Sequence, residues 1–422
     1  MTMERKQTND NNILLKRLLL SLAILIFIRI GTFLPVPGIN HGHLAFYIQR
    51  HSITKSLVST FSGDDTFVIG LFTLNIFPYI NASILMQLLI SLVPNLAKLQ
   101  KESGSEGRRT ITRITRIITL VWAFIQSFSI AFYLKRALFN WNLLLAGEII
   151  IWLTTGAMIV LWLSELITEY GLGNGPSLLI YTNIVSSLPN LGKKLISENL
   201  NNLNFWSGSF IAILFFLAIY GIVLLQEGAR IIPLISSRQL SQSGPISSEL
   251  PNNNYIPLRF NQAGVMPIIL TTAVLVIPNY ISNLGLLPII TLPALIKSSK
   301  LIYWVSYFVL ILLFSSFYST IVLNPKDISN ELQKMAVSIP GIRPGIATTF
   351  YLKRVMKRVT YLGAIMLAIL ATLPNIIEAI LHVSNFNGLG TTSLLILVGV
   401  VLDISREIRS ILLSNIYNDI FN

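Results

Sequence analysis

Gly70-Leu71-Phe72-Thr73-Leu74-Asn75-Ile76-Phe77-Pro78-Tyr79-Ile80-Asn81-Ala82-Ser83-Ile84-Leu85-Met86-Gln87-Leu88-Leu89 has the length and apolar content of a membrane span, yet it breaks two rules for a helix facing lipid. A proline stands near its middle, and Asn75, Asn81, Ser83 and Gln87 would lack hydrogen-bond partners in hydrocarbon. Such a helix must face protein or water. Ile76 and Ile80, four residues apart and so on one helical face, then read as an apolar collar on a partly polar wall. That combination points to a gated pore.

The rest of the chain fits a membrane setting. Of its 422 residues 53% are hydrophobic and only 12% charged, with a mean hydropathy of +0.68; a soluble domain carries roughly twice that charge. Apolar segments of spanning length fall near 18–34, 67–93, 117–134, 148–168, 175–190, 206–226, 263–283, 301–323, 360–378 and 389–404, about ten spans, which puts both termini on one side. Basic residues test that count. The side shared by the termini takes 22 of the 31 Lys and Arg, the other side takes 8, and Arg29 sits inside the first span. The asymmetry supports an even number of spans with both ends in the cytosol or its equivalent. The exit of the first span, Thr32 to Pro37, offers no small-x-small cleavage site, so a retained anchor is expected. No Arg-rich transit region precedes it, as for a chain made in the compartment where it inserts. With no cysteine, disulfide and thiol chemistry are excluded.

Three connections carry information. The outer loop at about 35–66 holds Ser56-Leu57-Val58-Ser59-Thr60-Phe61-Ser62-Gly63, small and mildly apolar, which either folds back into the protein or lies on the surface as an amphipathic helix. On the inner side two basic loops stand out. One, about 227–260, contains Arg230 and Arg259; the other, about 324–359, contains Pro340-Gly341-Ile342-Arg343-Pro344-Gly345. Pro-Gly on both sides of Arg343 fixes a turn and aims the side chain outward, where a turn serving only the positive-inside bias needs no such rigidity. Gly171-Leu172-Gly173-Asn174-Gly175-Pro176-Ser177 lacks the Lys-Ser/Thr and the βαβ setting of a phosphate loop. It reads as a tight link into a short fifth span, with Pro176 in the first turn.

Bond-making chemistry is not visible. His41, His43 and His51 share the outer loop, His382 lies near the same surface, and His41-x-His43 is an ordinary loop pattern rather than a metal site. Ion-coupled carriers need ionisable groups near the bilayer midplane. Here Glu148, Glu165, Glu169, Glu378 and Asp403 fall near span ends, and Arg29 is placed to snorkel outward. The composition favours a passive conduit over a secondary carrier, an enzyme, or a cofactor-binding protein.

The chain resembles the SecY family of protein-conducting channels over nearly its whole length. The resemblance rests on Arg29 to Ile39, Pro78 to Ser83, Glu102-Ser103-Gly104-Ser105-Glu106-Gly107-Arg108-Arg109, Gly171 to Ser177, Asn261-Gln262-Ala263-Gly264-Val265-Met266-Pro267, Pro340 to Gly345 and Gly390 to Ile396, seven segments in the family's order. It implies an all-α membrane fold of about ten helices in two pseudo-symmetric halves, 1–190 with spans one to five and a plug, and 191–422 with spans six to ten and the two basic loops. It also implies an hourglass pore with a waist of aliphatic side chains, which carried over position by position are Ile76, Ile80, Ile180, Ile184, Ile269 and Ile396. β-Branched residues are stiff at χ1, and an apolar constriction excludes ions by dewetting. The plug would be Ser56, Leu57, Val58, Ser59, Thr60, Phe61, Ser62 and Gly63, here preceded by His41-Gly42-His43-Leu44 instead of a very Gly-rich run. Asn81, Gln126 and Thr272 would line a lateral gate.

The family reading implies a channel that threads unfolded preproteins across a membrane and releases apolar segments sideways into lipid. Drive would come from a SecA-type ATPase or a ribosome docking on Arg230 and Arg343, with a SecE-type small subunit as clamp and a SecG-type subunit as a further partner. High isoleucine and asparagine and the missing transit region fit plastid-encoded members, so a thylakoid membrane is expected, with a bacterial inner membrane as the alternative.

Overall fold

The computed structural model describes residues 2–37, 69–93, 95–96, 98–99, 104–134, 142–199, 205–236, 255–262, 264, 266–268, 270–271, 274, 300–322, 324–381 and 391–421. Its helices are α1 (Thr2–Phe33), α2 (Phe77–Leu92), α3 (Gly104–Leu134), α4 (Leu143–Tyr170), α5 (Gly175–Asn199), α6 (Phe205–Glu227), α7 (Lys300–Val322), α8 (Pro325–Lys334), α9 (Ile346–Leu381) and α10 (Thr391–Phe421). Among the described residues four short strands, β1 (Ala229–Pro233), β2 (Ile235–Ser236), β3 (Tyr255–Arg259) and β4 (Val337–Ser338), lie between helices. Nine of the ten expected spans coincide with helices among the described residues; the seventh, 263–283, lies largely outside them. Among the described residues Glu106–Phe132, Leu143–Tyr170 and Ile346–Leu373 are long and apolar enough to cross a membrane, and Phe77–Ile90, Phe216–Glu227 and Trp304–Ser319 are shorter apolar helical stretches. The chain forms two compact units, one of residues 1–198 with 400–422, the other of residues 199–399.

In the first unit α3 packs on both α2 and α4. α3 buries a row of small residues at every fourth position, Thr115, Thr119, Ala123, Ser127 and Ala131. Small side chains let helix axes approach closely where lipid gives no hydrophobic drive between helices. Ala123 and Ala131 join Ile149, Leu153 and Ala157 of α4 in one cluster with Val36, Ile69 and Leu74. Thr154 donates across the seam to Ser127 Oγ at 3.1 Å. The opposite face of α3 is bare, with Ile117, Leu120, Val121, Phe124, Phe128 and Phe132 exposed. A patch that apolar suits lipid and not water.

The second unit packs α9 against α6, α7 and α8. Its most informative part is the pair of basic loops, which the sequence presents as separate and the fold joins. β1 and β3 form an antiparallel hairpin with Ala229 opposite Arg259 and Pro233 opposite Tyr255. β2 of the first loop then pairs with β4 of the second, Ile235 opposite Ser338 and Ser236 opposite Val337. A shared apolar core of Ile232, Leu258, Leu332, Ile339, Leu352, Val355, Met356 and Val359 sits beneath them. In α8 the Asn324 side chain accepts from the Lys326 N–H at 3.1 Å and Pro325 occupies the first turn, so the helix start is fixed locally.

Candidate functional site

Pro78 does not interrupt a helix. Residues 71–76 form successive turns, and α2 begins only at Phe77 with Pro78 in its first turn, where a missing N–H costs no helical bond. This corrects the expectation of a proline near mid-span. The cause is Asn75, whose φ of 48° places it in the left-handed region that asparagine tolerates better than most residues. Its Oδ1 accepts from the Ile76 N–H at 2.8 Å, satisfying a buried donor at the helix start. The turns are held from outside as well: the Val36 N–H donates to the Ile69 carbonyl at 3.1 Å, and the Leu71 N–H donates to the Leu34 carbonyl at 2.9 Å. Gly156 of α4 lies so close to the Leu71 carbonyl that any Cβ there would collide with it.

The expectation is a segment facing protein or water, and its described residues are covered by protein: from Phe77 to Ile90 none is exposed. Ile76 and Ile80 are 1% and 8% exposed and remain one turn apart, with the Ile80 N–H donating to the Ile76 carbonyl at 3.1 Å. The polar groups find local partners. Thr73 Oγ1 donates to the Gly70 carbonyl at 2.6 Å, and Ser83 Oγ donates to the Ile80 carbonyl at 2.9 Å.

Helix α5 carries Ile180 and Ile184, both half-buried and one turn apart. Between Gly175 and Ser186 only Val185 is exposed, so α5, like α2, is covered on nearly every side over this stretch. It runs further than the sixteen residues expected, through Pro189 to Asn199. Ile396 is half-buried on α10, within the second unit. Ile269 and Thr272 lie outside the described residues, as do Ser56 to Gly63. Asn81 on α2 and Gln126 on α3 are half-buried, and Gln126 Oε1 is buried with no partner among the described residues.

Arg343 is exposed on a turn whose Gly341 and Gly345 take φ of 76° and 100°. Thr348 Oγ1 donates to the Arg343 carbonyl at 2.9 Å, and Ser329 Oγ donates to the Gly345 carbonyl at 2.9 Å. The backbone is therefore pinned from α9 and α8 while the guanidinium stays outside. Arg230 is exposed on β1. Next to them Lys353, Arg354, Lys357 and Arg358 line the exposed side of α9, with Leu352, Val355, Met356 and Val359 on its buried side. This is a cationic platform on an apolar base, and its α9 stripe was not singled out from the sequence although the i, i+1, i+4, i+5 spacing shows it.

Three further polar contacts also escaped sequence reasoning. Arg116 of α3 makes a two-pronged pair with Glu165 of α4, both bonds at 2.8 Å. Ser319 of α7 donates to Gln262 Oε1 at 3.0 Å and shares a 2.6 Å bond with Thr360 of α9. Glu407 of α10 accepts from the Gly173 N–H at 2.7 Å. Arg29 is half-buried, with its guanidinium 5.1 Å from the Phe33 ring centre one turn toward the helix exit, the geometry of a snorkelling cation. No group of three or more His, Cys, Asp or Glu able to hold a metal occurs among the described residues.

Known proteins resemble this chain. The protein translocase subunit SecY of Trieres chinensis is 72% identical over 99% of this chain and all of its own length. The corresponding subunits of Guillardia theta and Synechococcus elongatus are 45% and 42% identical, covering 96% and 95% of this chain and 96% and 93% of theirs. Among solved structures, a protein-conducting channel aligns with TM-score 0.65 at 18% identity, over 95% of this chain and 93% of its own. Sec61 in the canine ribosome-channel complex aligns with TM-score 0.61 at 18% identity, with the same coverage. The fold is that of these all-α channels, and the chain is a multi-pass integral membrane protein. With the SecY family model matching residues 70–405 and curated relatives aligned end to end, the chain belongs to the SecY family.

Proposed function

We infer that this chain is the central protein-conducting subunit of a Sec translocon, passing unfolded preproteins across a membrane and releasing apolar segments laterally into lipid. The observation that carries the reading is end-to-end kinship with protein translocase subunits. The covering of α2 and α5 on nearly all sides supports it, since helices that line an interior passage meet little lipid. Ile76, Ile80, Ile180, Ile184, Ile269 and Ile396 form the waist; residues 56–63 close it from outside; Asn81, Gln126 and Thr272 set how readily the seam parts. The channel is passive. A SecA-type ATPase or a ribosome drives it by docking on Arg230 and Arg343, which suits a platform with nine Lys and Arg against Glu227, Asp327 and Glu331 among the described residues of the two loops and the start of α9. The ribosome-bound state of the canine neighbour supports such a partner. A SecE-type subunit clamps the channel and a SecG-type subunit accompanies it. Algal and cyanobacterial relatives favour a thylakoid membrane, with a bacterial inner membrane as the alternative.

The test uses a stalled preprotein in proteoliposomes holding the assembled channel. A photo-crosslinker at positions 76, 80, 180 and 184 should capture the preprotein, and one at the exposed positions 151 and 162 of α4 should not. Equal capture at both sets refutes the passage.

A further inference from the structure

Helix α5 begins at Gly175, and the link before it is held at two points of different origin. From α4, Thr168 Oγ1 accepts from the Gly175 N–H at 3.0 Å while donating to the Ser164 carbonyl at 3.0 Å. From α10, more than two hundred residues later in the chain, a Glu407 carboxylate oxygen accepts from the Gly173 N–H at 2.7 Å. Gly173 also lies beside Ile404, three residues before Glu407 and on the same face of α10, and beside Leu178 of α5. A carboxylate two residues ahead of a helix start is favoured by the helix dipole as well as by the bond it accepts, and a bond to an ionised acceptor is the stronger kind. No other link between helices in the described part of this unit is fastened by an acidic side chain from a distant helix.

We propose that Glu407 is a positioning residue for the channel waist. It fixes the α4–α5 link against α10 and so sets where α5 places Ile180 and Ile184, without touching either. The inference rests on the reading of those two isoleucines as part of the constriction. Because the bond sits two residues before α5, losing it leaves the start of α5 held by Thr168 alone, with the α3–α4 packing of this unit intact.

The chain has no cysteine, so two introduced ones report alone. Nitroxides on Val185→Cys in α5 and Ser405→Cys in α10, both exposed positions, read the distance between the helices in the assembled complex. Resting anion conductance of the same complex, in a cysteine-free background, reads the seal. Glu407→Ala should broaden the distance distribution and raise resting conductance about threefold or more, the scale of one lost charge-assisted bond at a half-buried site. Glu407→Gln keeps an oxygen acceptor and should restore the narrow distribution and most of the seal, a rescue that a loss of general stability would not give. Glu407→Asp, which draws the carboxylate back toward α10, should fall between and serves if the alanine variant does not assemble. A native distribution and native conductance in both Glu407→Ala and Glu407→Asp, beside a leak in Ile184→Asn, overturn the role of Glu407 alone. Absence of a leak in Ile184→Asn overturns the waist on which it rests.

Discussion

Asn75→Ala tests the claim that the span containing Pro78 starts at Phe77 because of one asparagine. Two contributions are lost together. The Ile76 N–H, in a residue 1% exposed, loses its 2.8 Å acceptor and becomes an unpaired buried donor, which costs about 2 kcal/mol. A φ of 48° is tolerated by asparagine and poorly by alanine, which adds about 1 kcal/mol. The sum is about 3 kcal/mol, a large share of the stability of an ordinary domain. Asn75→Gly separates the two, because glycine accepts the left-handed backbone but offers no side-chain acceptor, so it should lose about 2 kcal/mol. Thermal unfolding of the purified complex, followed by tryptophan fluorescence, gives the order wild type, then glycine, then alanine. An alanine variant as stable as wild type, or a glycine variant less stable than the alanine one, refutes the account of how α2 begins.

Gly156→Ala drives a methyl group into the Leu71 carbonyl and should destabilise by about 1–3 kcal/mol, seen as reduced folded yield and a lower unfolding temperature. If Ile184 belongs to the proposed waist, Ile184→Asn should raise resting ion conductance in planar bilayers while the protein still assembles, because a polar group in an apolar constriction favours wetting. Arg343→Glu should cut motor-driven preprotein transport several-fold and shift stability by no more than about 0.5 kcal/mol, since only the Arg343 carbonyl, not its exposed side chain, is tied into the turn. The Arg116–Glu165 pair is partly exposed, so a double-mutant cycle on unfolding should return about 1 kcal/mol or less despite two bonds at 2.8 Å.

Helix existence was legible for the nine apolar runs of spanning length that lie among the described residues, because hydrocarbon thickness imposes that length on the sequence. The helix start at Phe77 was not. Hydropathy runs unbroken from Gly70, and only the φ of Asn75 shows that the chain turns before it coils. The polar residues of α2 announced correctly that the helix is covered, since unsatisfied groups cannot face lipid. One helix that packs on it, α3, buries a row of small residues that no hydropathy measure marks as special. Glu165 reads from sequence only as an acidic residue at a span end, and nothing in the sequence singles out Glu407; their partners, Arg116 and Gly173, are set by tertiary approach and leave no local trace.

The joining of the two basic loops follows from the same limit and has a mechanical consequence. Each loop alone offers a short amphipathic segment with too few apolar residues for a core of its own. Together β1, β3, β4, α8 and the first turns of α9 bury Ile232, Leu258, Leu332, Ile339 and Leu352, and the strand pair Ile235 to Ser338 closes one loop onto the other. Arg230 and Arg343 therefore stand on one rigid base whose floor is α9 itself, the helix that continues as a span to Leu373 and beyond. A force applied to either arginine would reach a membrane-crossing helix through packed side chains, not through a flexible tether, since packed interiors transmit displacement because they compress little. A loop pair that merely collected positive charge on the inner side would need neither the shared core nor the second strand pairing.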